Sequence, residues 1–207
     1  MSESLWESSA RDLVRSTASS QPTPGGGSVA AITGAFGTGL LQMALAVTGD
    51  PAHSAQAARL AELQQRIEPA ADGDVHDFGV LMAAYRLPRG DDEERAARSR
   101  AIERASIAAT QRPLSLVESL VDALTVAHEL ESLVKPGVLS DVFAGRDIVL
   151  GAARAAVRTA DINIEQLERL GSPAAAELRT RRDQLVAAIE GRAERNPQLA
   201  TQGEEEL

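Results

Sequence analysis

Apolar and small residues recur along this chain at three- and four-residue intervals, and the alternating pattern of strands is missing. Leu5, Leu13 and Val14 mark a short amphipathic helix ending near Ser19. The stretch "SQPTPGGG" breaks it, because Pro and Gly oppose helix continuation. Residues 28–48 read as a second helix with apolar and small residues all round, which predicts burial. A helix over 54–87 carries a heptad-like stripe at Leu60, Leu63 and Ile67. In "LPRGDDEER", Pro88 and Gly90 stop one helix, and Asp91, Asp92 and Glu93 suit the first turn of the next. Helices are predicted over 93–110 and 113–134, with Pro113 in a first-turn position. After the loop "KPGVLSD" come helices over 141–170 and 173–194, divided by Gly171 and Ser172. The polar end "NPQLATQGEEEL" is expected to fray. With no repeat and no internal linker, the pattern predicts an all-α, single-domain antiparallel bundle of about six to seven helices. The domain is expected over 1–195, with a disordered tail over 196–207.

The second helix lies in a run, residues 25–49, without a charged side chain. That is long enough to cross a bilayer. The run also holds three threonines, a serine and a glutamine, and lacks flanking Lys/Arg and a Trp/Tyr belt, so no membrane partner is expected. Gly27, Ala31, Ala35 and Gly39 fall at every fourth position, and Ala30, Gly34 and Thr38 form a second row. Such rows let another helix backbone approach closely, within the fold or at a subunit interface. Gly25, Gly26 and Gly27 leave backbone N–H groups uncovered at the helix N-terminus, where the dipole favours an anion.

Composition narrows the chemistry. Aromatic residues make up 2% and alanine is abundant, which suits close helix packing. The absence of cysteine excludes a disulfide framework, a Cys-ligated zinc site and a thiolate nucleophile. His53, His76 and His128 are scattered, so no His-based metal site is expected, although carboxylates alone can hold a weakly bound divalent ion. A net charge of −9, with Lys135 the one lysine, disfavours a nucleic-acid partner. The start "MSESLWESSARDLVRST" lacks the basic and apolar regions of a secretory signal, and a cytoplasmic protein is expected.

Three polar residues sit on apolar stripes. In "DGDVHDFGVLMAAYRLPRG", Asp74 shares a helical face with Phe78, Leu81, Met82 and Tyr85. A carboxylate there is either a cap or partly buried. If buried, desolvation raises its pKa and suits it to general acid–base work. Asp72 and Asp77 read as solvated neighbours, and His76 lies off the stripe. Asp141 shares a face with Ala144, Gly145, Ile148 and Ala152, and Ser140 before it suits an N-cap. Asn163 aligns with Ala156, Ala160 and Leu167, and a buried Asn needs hydrogen-bond partners from backbone, another helix or a ligand. Arg154, Arg158, Asp161 and Glu165 form a charged outer face.

The blocks "PTPGGGSVAA", "DGDVHDFGVLMAAYRLPR", "RPL" and "LSD" with "INI", in this order and spacing, resemble the cyclodeaminase/methenyltetrahydrofolate cyclohydrolase family. The resemblance runs over residues 5–190. It implies an all-helical subunit that pairs as a homodimer through its helices and binds folate in a cleft. The family closes 5-formiminotetrahydrofolate with loss of ammonia, or hydrates 5,10-methenyltetrahydrofolate to 10-formyltetrahydrofolate. Both reactions pass through a tetrahedral carbon between nitrogens and need a proton-moving group. Neither needs a metal or a cofactor beyond tetrahydrofolate as carrier substrate. On this resemblance Asp74 is the general acid/base. Pro24, Gly25, Gly26, Gly27 and Ser28 line the pocket together with Tyr85; Arg86 and Arg89 are candidates for the folate glutamate tail, and Asp141 and Asn163 for holding the pterin.

The chain departs from the family pattern where a basic pair usually follows the glycine-rich helix. Here the text is "TGDPAHS", with Asp50 and Pro51. The usual Asn-Val-x-Ile-Asn block is "TADIN", with Thr159 in place of the first Asn. The expected function is a cyclohydrolase. The alternatives are a cyclodeaminase, a diverged enzyme acting on another amidine, imine or cyclic substrate, and a non-catalytic dimeric scaffold.

Overall fold

A computed structural model describes residues 4–193. These hold helices α1 (Ala10–Thr17), α2 (Gly26–Thr48), α3 (Ser54–Ile67), α4 (Pro69–Tyr85), α5 (Asp92–Leu130), α6 (Leu139–Arg169) and α7 (Ala174–Ala193), with short 3-10 turns and no strand among the described residues. The all-α expectation holds. The tail expected over 196–207, and the end of the domain expected over 1–195, lie outside the described residues.

The long helices α2, α5 and α6 form the centre, with α3, α4 and α7 packed around them. Leu41, Leu114, Val117, Leu120, Val149, Ala153 and Ile164 are fully buried between them. The row of Ala30, Gly34 and Thr38 is used as spacing predicts, and Gly37, outside both rows, adds a second close approach. A Cβ added at Gly34 would meet Leu120 and Ala152, and one at Gly37 would lie 2.8 Å from the Gly145 carbonyl oxygen. Glycines therefore face each other across α2 and α6, which run antiparallel. Gly39 departs from its row and opens to the surface. By length and composition α2 suits a membrane span, and half of its most apolar stretch is buried among the other helices.

Three sequence expectations need correction. The helix expected over 54–87 is two helices, because Pro69 starts α4 directly after α3. Proline lacks the N–H that a continuing helix would use, and the Trp6 indole donates to the Glu68 carbonyl at the junction (3.0 Å). The helices expected over 93–110 and 113–134 are one, α5, which runs through buried Pro113. A proline inside a helix frees the carbonyl four residues earlier. That carbonyl, Ala109, accepts a hydrogen bond from Asn163 Nδ2 at 3.0 Å. Ser140 is not an N-cap, because the 3-10 turn Pro136–Val138 leads straight into α6 at Leu139. The charged face of α6 packs on α7 through Asp161–Arg182 (2.7 Å) and Arg154–Glu190 (2.8 Å).

Candidate active site

The N-terminus of α2 has no side-chain cap of its own. Its N-cap is Gly25, and no side chain within the segment reaches the first-turn N–H groups. The partner comes from α4. The Asp74 Oδ2 accepts from the Ser28 N–H at 2.9 Å and from the Ser28 hydroxyl at 2.8 Å. Asp74 is thus a cap, but of a different helix from its own. Ser28 is fully buried, and its hydroxyl also lies 3.1 Å from the Ala71 carbonyl. The carboxylate lies flat against Gly27, where an added Cβ would come within 2.6 Å of Asp74 Cγ. Only a residue without a side chain lets the acid sit there.

Beside it opens a cleft of about 350 Å³, a size that suits a small organic ligand. Asp74, Phe78, Leu81, Met82 and Tyr85 supply one wall from a single face of α4, as their spacing predicts. Gly25, Gly26 and Gly27 close the base, while Thr159, Ile162, Asn163, Gln166 and Arg169 of α6 form the facing wall. The N–H groups of Gly26 and Gly27 fall in the first turn, where a helix offers no internal acceptor.

Asp77 is not solvated, which corrects its sequence reading. It is 8% exposed and takes a two-pronged ion pair from Arg112, with Nε at 2.5 Å and Nη2 at 3.2 Å. Both residues line the cleft. The guanidinium crosses Gly73, where an added Cβ would lie 2.5 Å from Arg112 Cζ. The pair joins positions 35 residues apart, so no local pattern announced it. The remaining signal was Gly73, one helical turn before Asp77.

The formiminotransferase-cyclodeaminase family model matches residues 9–183. The chain belongs to this family. It is 35% identical over 156 residues to a methenyltetrahydrofolate cyclohydrolase of Methylorubrum extorquens, covering 71% of this chain and 73% of that one. It is 28% identical to the formimidoyltransferase-cyclodeaminase of Rattus norvegicus, over 68% of this chain and 27% of that protein. A solved formiminotetrahydrofolate cyclodeaminase from Thermotoga maritima shares the fold, with a TM-score of 0.76, 19% identity, and coverage of 91% and 93% of the two chains.

The candidates drawn from the family pattern divide into two groups. Asp74, Gly25, Gly26, Gly27, Tyr85 and Asn163 line one cleft, with Ser28 buried behind Asp74 and Pro24 buried beside Thr23. Arg86 and Arg89 are exposed beyond the end of α4 and do not line it. Asp141 lies in the first turn of α6, about 33 Å along the helix axis from Asn163. The "TGDPAHS" segment sits at that same far end, beyond the C-terminus of α2. Among the described residues no group of three or more His, Asp or Glu is placed to hold a metal ion.

Proposed function

We propose that the protein is a methenyltetrahydrofolate cyclohydrolase. The observation that carries this reading is Asp74, a carboxylate fixed by two donors from Ser28 at the base of an apolar cleft. Similarity to the M. extorquens cyclohydrolase favours hydration over the other family reaction.

The methenyl substrate is a delocalised amidinium cation. Of the two carboxylates in the cleft, Asp77 is neutralised by Arg112, while Asp74 has no cation partner among the described residues. The cleft therefore attracts positive charge to Asp74. Phe78, Leu81, Met82 and Ile162 offer apolar surface to a flat ring system. In the reaction, Asp74 takes a proton as water attacks the bridging carbon, and a C–O bond forms. Asp74 then returns the proton to N5 as the C–N5 bond breaks. The remaining hydroxyl proton leaves to solvent, giving the formyl group on N10. Ser28 keeps the carboxylate aimed through both transfers.

The same carboxylate would serve a cyclodeaminase, and the rat relative's name keeps that reading open. Loss of the substrate's near-ultraviolet absorbance above the spontaneous rate supports hydration. Ammonia released from 5-formiminotetrahydrofolate, with no faster hydration, would overturn it in favour of deamination. We further propose a homodimer formed on the outer face of α2. Phe36, Met43 and Val47 are exposed there at 62%, 36% and 52%, one stripe of a helix. A monomer by light scattering would contradict it.

A further inference from the structure

We infer that Arg169 holds the carboxylate end of the substrate and makes the cleft selective for glutamylated folates. This rests on the folate reading above and names a contact within it. The cleft has a direction. Its base is fixed by Asp74 and Gly27, and an added Cβ on Gly26 would lie 3.4 Å from Thr159 Oγ1. From Thr159, α6 runs along the wall to Arg169 at its last turn, about 15 Å away. A ligand reacting at Asp74 and extending along this wall brings its far end to Arg169. In a folate, that far end follows the aminobenzoyl spacer and carries the glutamate carboxylates.

Two cations line the cleft, Arg112 and Arg169. Arg112 is committed to Asp77 on two prongs. Arg169 is differently placed. Its nearest carboxylate, Glu165, is 4.0 Å away, with both side chains about 60% exposed. Its Nε and Nη2 donate instead to Gln166 Oε1, at 3.4 and 3.1 Å. That amide oxygen is neutral and belongs to a residue that also lines the cleft. Gln166 thus orients the guanidinium without cancelling its charge. An arginine has five donors in a fork that matches a carboxylate, so Arg169 keeps the means to take one. Arg86 and Arg89 do not line the cleft, which removes them from this role within the same chain.

The test compares methenyltetrahydrofolate with its methenyltetrahydropteroate analogue, which lacks glutamate. Each is assayed by absorbance with the intact protein and with Arg169→Gln and Arg169→Lys. The expected result is a fall of about tenfold in the ratio of kcat/KM for the glutamylated over the tail-less substrate in Arg169→Gln. The loss should appear in KM, with partial recovery in Arg169→Lys. A ratio that does not move in Arg169→Gln overturns the assignment and leaves the cyclohydrolase reading standing. Failure of the unmodified protein to turn over either substrate overturns both.

Discussion

The two ends of α2 are built in opposite ways. At the C-terminal end most of the closing partners lie within a few residues in sequence, with Lys135 the distant exception. Gly49 adopts a left-handed conformation (φ 68°), and its N–H donates to the Leu45 carbonyl at 2.9 Å. The Thr48 hydroxyl donates to the Ala44 carbonyl and accepts the Lys135 N–H at 3.1 Å. Asp50 caps the next turn by accepting from the Ala52 N–H. At the N-terminal end the cap comes from Asp74, 46 residues away, and Gly27 lets it approach. One end closes a helix, while the other uses a helix end to hold an acid in a cleft. The "TGDPAHS" departure falls at the closed end, about 33 Å along α2 from the glycines, so it removes nothing from the same chain's cleft.

This contrast can be broken in graded steps. Gly27→Ala should cost about 100-fold in kcat, because the new methyl displaces Asp74. Gly39→Ala, in the same helix but with no atom within 4 Å of its added Cβ, should keep full activity in the same assay. Ser28→Ala leaves the backbone donor but removes the hydroxyl, and should lower kcat about tenfold. Gly49→Ala should act on stability alone. A left-handed alanine costs about 1 kcal/mol or more in denaturant unfolding, with hydration activity intact.

The smallest effect belongs to the Arg59–Glu129 pair, which joins α3 to α5 near the closed end. Hydrogen bonding to Arg59 holds the Glu129 carboxyl below its ordinary value of 4.5. A lowered folded-state pKa gives stability that is present above the unfolded value and is lost as pH falls through the folded one. Arg59→Gln should therefore lower stability by about 0.5 kcal/mol at neutral pH, a figure reduced by solvent screening. The difference should vanish under acid conditions below the folded pKa. A difference that grows on acidification would contradict the assigned sign.

The helices were legible from spacing, and so was the apolar face that Asp74 shares, whereas its acid–base role was implied by the family resemblance. Asp74 ends an apolar stripe, and α4 presents that stripe to the cleft. Element breaks were less legible where proline was involved. Pro69 starts a helix inside a continuous heptad stripe, whereas Pro113 sits inside a helix that buried packing on both sides sustains. The Asn163 side chain satisfies the carbonyl that Pro113 leaves free, and that pairing spans 54 residues. Asp77 read as solvated because its partner, Arg112, lies on another helix. Arg169 was not singled out in the sequence, since only the fold turns it toward the cleft. Local periodicity reports faces, whereas the partners of buried polar groups come from tertiary contacts.

The central claim is that Asp74, held by Ser28 and Gly27, moves the proton. Asp74→Asn keeps the shape and the Ser28 contacts while removing the exchangeable charge. Hydration of methenyltetrahydrofolate by this variant, followed as loss of near-ultraviolet absorbance, should fall by about 10²–10⁴-fold, with helical content by circular dichroism unchanged. An unchanged hydration rate in a folded Asp74→Asn protein would contradict the account.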